Sequence, residues 1–126
     1  MHTFLTGVNA AEQPKPFFLY LPLTIPHENG EQLKDMKFEV PSQGVYADKP
    51  WTKEQKDYAA MISYLDAGIG EIVKAIKSAG IEDKTLILFC SDNGPMRGHP
   101  VTEFFNSNGD LRGGKRDLYE GGSVRP

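Results

Sequence analysis

A chain of 126 residues, 39% hydrophobic and 10% aromatic, lies in the size range of one domain and is long enough for one modest core. Its 14 basic and 17 acidic residues are spread along the sequence with a formal net charge of -3, which leaves no basic footprint for nucleic acid. A lone cysteine, Cys90, excludes an internal disulfide, no Cys/His cluster has zinc-site spacing, and the apolar runs are too short to span a bilayer.

Residues 1–16 combine a short apolar start with Asn9, Glu12, Gln13, Pro14 and Pro16, which predicts a frayed helical end and an extended connector. No basic region followed by an apolar signal core is present there, so any export signal is expected outside these residues. The run Phe17, Phe18, Leu19, Tyr20, Leu21 predicts a buried strand in a sheet covered on both faces. Pro22 and Pro26 end it and leave His27 on the loop beyond. Residues 28–50 mix charge with Gly30, Pro41, Gly44 and Pro50, a long irregular loop of the kind that often carries function.

From Thr52 the pattern becomes helical. Thr52 and Gln55 fit a capping box, and Tyr58, Ile62, Leu65, Ile69, Ile72, Val73 and Ile76 recur every three or four positions until Gly80 stops the helix. Gly68 and Gly70 weaken such a helix by about 1 kcal/mol each, which predicts another backbone packed close to them. Asp83 and Lys84 make a turn, residues 85–90 form a second strand, and a glycine-rich segment follows from Asp92. Strand, helix, strand in this order implies a right-handed parallel crossover within a single α/β domain covering residues 1–126. With no closing helix before Pro126, the chain is expected to be cut from a larger domain.

Asp92 and Asn93 fall just past the C-terminal end of the second expected strand, where open α/β sheets place their ligand sites. A carboxylate and an amide oxygen suit calcium or magnesium better than zinc, although Asp-Asn-Gly after a strand also serves as a plain Asx turn. His27 belongs to the same sheet edge if the crossover is parallel; as a lone loop histidine it is otherwise a surface residue. Lys115, between Gly114 and Arg116, suits contact with a tetrahedral oxyanion, with Arg112, Arg116 and Arg125 as alternatives and a solvated basic loop as the plain reading. Glu120 with Gly121 and Gly122 fits a tight turn, the glycines supplying unusual backbone angles. Cys90, at the end of an apolar run, is expected to be buried and inert, and His2 and His99 are expected to be structural.

Pro26-His27, the Tyr-x-x-x-Ile-x-x-Leu-Asp helix, Leu-Ile-Leu-Phe-Cys-Ser-Asp-Asn-Gly and Gly-Gly-Lys-Arg-Asp-Leu-Tyr-Glu-Gly-Gly, taken in order, resemble the arylsulfatase-type sulfatases of the alkaline phosphatase superfamily. The resemblance spans about residues 16 to 126, the middle of such an enzyme. It implies a partial alkaline-phosphatase-like α/β sandwich, with parallel strands and a long crossover helix. It also implies Asp92 and Asn93 as ligands of calcium (or magnesium), Lys115 as a sulfate contact, and His27 as a residue that binds sulfate or assists departure of the alcohol. The substrate implied is a sulfated small molecule or glycan, with a formylglycine hydrate as nucleophile; the charge balance and short apolar runs give no expectation of a nucleic-acid or membrane partner. The resemblance also implies a periplasmic, secreted or lysosomal setting for the parent family, with the location of this chain itself left open.

Two departures qualify the match. Where the family has Pro-His-x-Pro and Glu-Gly-Gly-x-Arg-Val-Pro, this chain reads Pro26-His27-Glu28-Asn29 and Glu120-Gly121-Gly122-Ser123-Val124-Arg125-Pro126, so Arg125 receives no role. The Cys-x-Pro-Ser-Arg type of signature that becomes formylglycine, and the Asp-Asp pair that completes the calcium site, are not in these residues. The expectation is therefore an incomplete catalytic domain, inactive alone and prone to self-association through exposed strand edges. A phosphomonoester or phosphodiester hydrolase of the same superfamily and a non-catalytic α/β binding module are the competing readings.

Overall fold

The computed structural model describes residues 16–31 and 37–123. By internal contacts the chain, expected as one domain, divides into two compact units, Met1–Leu86 and Ile87–Pro126. The expectations for residues 1–15 and for Arg125 lie outside the described residues.

Helix α1, Lys53–Ser78, dominates the first unit. Its start is fixed by the predicted box: Thr52 Oγ1 accepts from Gln55 N (3.2 Å), and Gln55 Oε1 accepts from Thr52 N (2.9 Å). Its end is a Schellman motif, in which Gly80 at φ 67° lets Gly80 N–H reach Lys77 O (3.0 Å) and Ile81 N–H reach Ile76 O (3.4 Å). Ile76 and Ile81 are both buried, supplying the apolar contact that accompanies this cap.

The loop before α1 is clamped to its first turns. Phe38 packs edge-on against Tyr58 with ring centroids 5.0 Å apart, and Tyr46, in a 3₁₀ turn at Gly44–Tyr46, bonds Ser63 through its hydroxyl (2.9 Å). Asp57 is buried, and its carboxylate accepts from Gln43 Nε2 (2.6 Å) and Lys53 Nζ (2.5 Å), which offsets its loss of water. Lys37 pairs with Glu28 (3.4 Å) and Glu54 (3.8 Å), joining the loop to the helix start once more.

Further along α1 the predicted stripe is only partly covered. Leu65, Ile69 and Ile72 are half-buried, whereas Ile62 and Val73 are exposed. Gly68 and Gly70 have open space where a side chain would stand, so among the described residues no backbone packs against them, contrary to the expectation drawn from their cost to the helix.

Among the described residues there is no strand. Residues 17–21 nevertheless show a period of two: Phe18 and Tyr20 are 88% and 76% exposed, and Phe17, Leu19 and Leu21 far less. Alternation of this kind belongs to an extended backbone, and a ladder additionally requires a paired neighbour. After a 3₁₀ turn at Glu82–Lys84, residues 86–89 run equally apolar and exposed, and Cys90, expected to be buried, is exposed as well.

The second unit contains the short helix α2, Pro100–Phe104, with proline in its first turn and His99 as N-cap. His99 is buried, and its Nδ1 accepts from Val101 N (3.3 Å), consistent with the structural role expected for it. Val101, 1% exposed, is the best-buried side chain among the described residues of this unit.

Candidate active site

Three sequence motifs meet in the second unit through their backbones. Gly94 N–H donates to Gly122 O (3.3 Å), which joins Ser-Asp-Asn-Gly to Glu-Gly-Gly. Lys115 N–H donates to Pro95 O (2.8 Å), which seats the lysine turn two residues beyond Asn93. Gly121 N–H donates to Arg112 O (2.8 Å), which closes the segment upon itself.

Glycine is required at this junction because main chain lies against main chain. A methyl on Gly94 would fall on the Gly121 carbonyl, one on Gly121 would meet Gly113 O at 2.5 Å, and one on Gly122 would strike the carbonyls of Asp117 and Gly114. Gly121 and Gly122 thus serve close approach, whereas the positive φ angles expected of them occur at Gly98, Gly109 and Gly113.

The junction leaves the predicted site residues differently placed. Asp92 is exposed, and its carboxylate makes no hydrogen bond or ion pair among the described residues. Asn93 is half-buried and gives its amide hydrogen to Gly94 O (3.1 Å), while Ser91 Oγ donates to Asn93 O (2.8 Å). Lys115 is half-buried at the head of a turn that runs to Asp117. His27 belongs to the first unit, where it is exposed, follows the cis Ile25–Pro26 bond and has Nδ1 2.7 Å from Glu28 O.

Arg112 lies over the Tyr119 ring at 3.7 Å, a cation–π contact, and Arg116 sits at φ 79° on the exposed side of the turn. Two residues that sequence reasoning passed over hold the turn itself. Asp117 Oδ2 accepts from Gly114 N (3.0 Å) and from Arg97 Nη1 (2.9 Å). The Arg97 bond and the Gly114 amide, then the charges of Arg97 and Arg112, hold the Asp117 carboxyl below the ordinary range. The local signal was a Gly-x-x-Asp turn; the Arg97 partner, twenty residues earlier, had none. Next to the turn, an open recess of about 420 Å³ is lined by residues including Met96, Arg97, Asn106, Arg112 and Tyr119.

No group of three or more His, Cys, Asp or Glu side chains among the described residues is arranged to hold a metal ion. No helix among them is long and apolar enough to cross a membrane.

The sulfatase family model matches residues 1–126. The chain belongs to the sulfatase family. It is 32% identical over 124 residues to human arylsulfatase A, covering 94% of this chain and 20% of that protein. With human N-acetylgalactosamine-6-sulfatase it shares 30% over 113 residues, 88% of this chain and 19% of the relative. An uncharacterized sulfatase of Escherichia coli K12, YdeN, is 30% identical over 112 residues, 89% and 18% of the two chains. The chain therefore spans about a fifth of the length of these three relatives. No solved structure matches it. Family membership supports hydrolysis of sulfate esters as the activity of the family, in agreement with the order of motifs in the sequence.

Proposed function

We propose that this sulfatase chain supplies part of the active site of a sulfuric ester hydrolase acting on a sulfated small molecule or glycan. In this reading Asp92 and Asn93 contribute two oxygens to a calcium ion, with magnesium as the smaller alternative, and Lys115 meets the sulfuryl oxygens. His27 binds sulfate or assists the departing alcohol. The observation that supports it most is the meeting of Ser-Asp-Asn-Gly, the lysine turn and Glu-Gly-Gly through the Gly94–Gly122 and Lys115–Pro95 bonds.

The donors fit a hard cation. Asp92 presents an exposed carboxylate, and Asn93, bonding through its nitrogen, keeps its amide oxygen apart from that bond. Two ligands fall short of the six to eight oxygens calcium takes, and no further His, Cys, Asp or Glu side chain among the described residues forms a group of three with them. A divalent cation held there would offset charge that builds on the sulfuryl oxygens. Lys115 supplies a point charge for the same oxygens from a backbone fixed by Pro95.

We further place residues 17–21 and 85–90 as parallel strands of an alkaline-phosphatase-like α/β sandwich with α1 as their crossover. Their apolar content and the alternating exposure of residues 17–21 support this. Without a formylglycine-type signature in its sequence, the chain alone is expected not to turn over sulfate esters.

Titration of the ¹⁵N-labelled chain with calcium and, separately, with sodium sulfate tests the reading. Calcium should shift Asp92 and Asn93 with an affinity weaker than about 10⁻⁴ M and lose that effect in Asp92→Ala, and sulfate should shift Lys115. Submicromolar calcium binding, brisk aryl sulfate hydrolysis by the chain alone, or no response at these residues would contradict it.

A further inference from the structure

The turn that carries Lys115 is held by two side chains to which the sulfate-binding reading gives no task. Asp117 Oδ2 accepts from Gly114 N–H (3.0 Å) while Asp117 N–H donates to Gly114 O (2.9 Å), so one residue closes both sides of the turn. The same oxygen accepts from Arg97 Nη1 (2.9 Å), tying the turn to the strap that follows Asn93. Arg97 also fills the space that a side chain on Gly114 would need: a methyl there would meet Arg97 Cγ at 2.5 Å and Pro95 O at 2.6 Å. Within this clamp Arg116 is held at φ 79°, a conformation that residues other than glycine keep only when their surroundings fix it.

The geometry points to Arg97 and Asp117 as a positioning pair that sets the backbone of Lys115, so that anion affinity at Lys115 depends on a salt bridge formed by its neighbours. This inference rests on Lys115 being the anion-binding cation. A loosely held lysine spends part of its interaction on being ordered, whereas a turn fixed at Pro95, Gly114 and Asp117 has its backbone ordered beforehand. Among the described residues the charged groups that act on Asp117 are Arg97 and Arg112, and both favour its ionised form. Its carboxyl titrates below the unfolded value, so the clamp is complete above about pH 4 and is lost as pH falls through the lowered pKa.

Amide hydrogen exchange and sulfate titration of the 126-residue chain test the pair together. Asp117→Ala and Arg97→Ala should each lower protection at Gly114 and Lys115 and weaken sulfate binding about tenfold, the factor that loss of one charged hydrogen bond corresponds to. Arg97→Lys should recover part of both effects. In Asp117→Asn the part of the acid-dependent loss of protection at Gly114 and Lys115 that follows the Asp117 carboxyl should vanish, because position 117 no longer titrates. Unchanged protection and sulfate affinity in the alanine variants would overturn the inference, as would lower protection with unchanged affinity. Lys115→Ala separates the two ideas: sulfate binding unaffected by it sinks the sulfate reading itself, while protection at Gly114 still decides the clamp. Should Asp117→Ala unfold the unit, Arg97→Lys, which keeps a cation but not the guanidinium fork, decides the case by the same two readouts.

Discussion

At the residue scale, the Ser-Asp-Asn-Gly motif divides its labour between neighbours. Gly94 holds the unit together, because its α-carbon lies against the Gly121 carbonyl, whereas Asp92 is exposed and bonds nothing among the described residues. Gly94→Ala should therefore destabilise the second unit by about 3 kcal/mol or more, since main chain cannot yield as a flexible side chain does. Asp92→Ala should leave stability within about 0.5 kcal/mol. Urea unfolding followed by the amide signals of residues 93–123 measures both, and a large loss in Asp92→Ala would mean that the carboxylate has structural work. The sequence revealed the chemistry-bearing pair because carboxylate and amide are visible by type. It hid the Gly94–Gly122 and Arg97–Asp117 contacts because their partners lie twenty or more residues apart in the chain.

At the scale of elements, legibility followed the range of the forces involved. The limits of α1 were readable because the Thr52–Gln55 box and the Gly80 cap are local geometries written in adjacent residues. Gly68 and Gly70 misled, since a glycine in a helix implies a close neighbour only if one is there, and among the described residues neither meets one. Gly68→Ala and Gly70→Ala should each stabilise the chain by about 0.5–1 kcal/mol, by removing backbone freedom from the unfolded state without a clash. Gly80→Ala should act in the opposite direction by about 1 kcal/mol, because φ 67° is unfavourable for a residue with a β-carbon. Thermal unfolding followed by helical circular dichroism distinguishes these signs. Stabilisation in Gly80→Ala would refute the capping assignment.

For the whole molecule, the ladder that residues 17–21 and 85–90 lead one to expect cannot be read from either run alone, because its hydrogen bonds belong to a neighbouring strand. What the two runs do fix is a distribution of apolar surface: Phe18, Tyr20, Leu86 and Leu88 are all more than three-quarters exposed. Extended, apolar and unpaired segments are templates for pairing with another chain, and the net charge of -3 supplies little repulsion against it. Light scattering should accordingly give an average mass above 14.0 kDa that rises with concentration. Placing one lysine in each run, Phe18→Lys and Leu88→Lys, should lower that mass, because a charge on an open edge must be desolvated before a partner can dock. A monomer across the whole concentration range would show that these runs are covered in solution by the chain's own residues, and would remove the exposed-edge account of self-association.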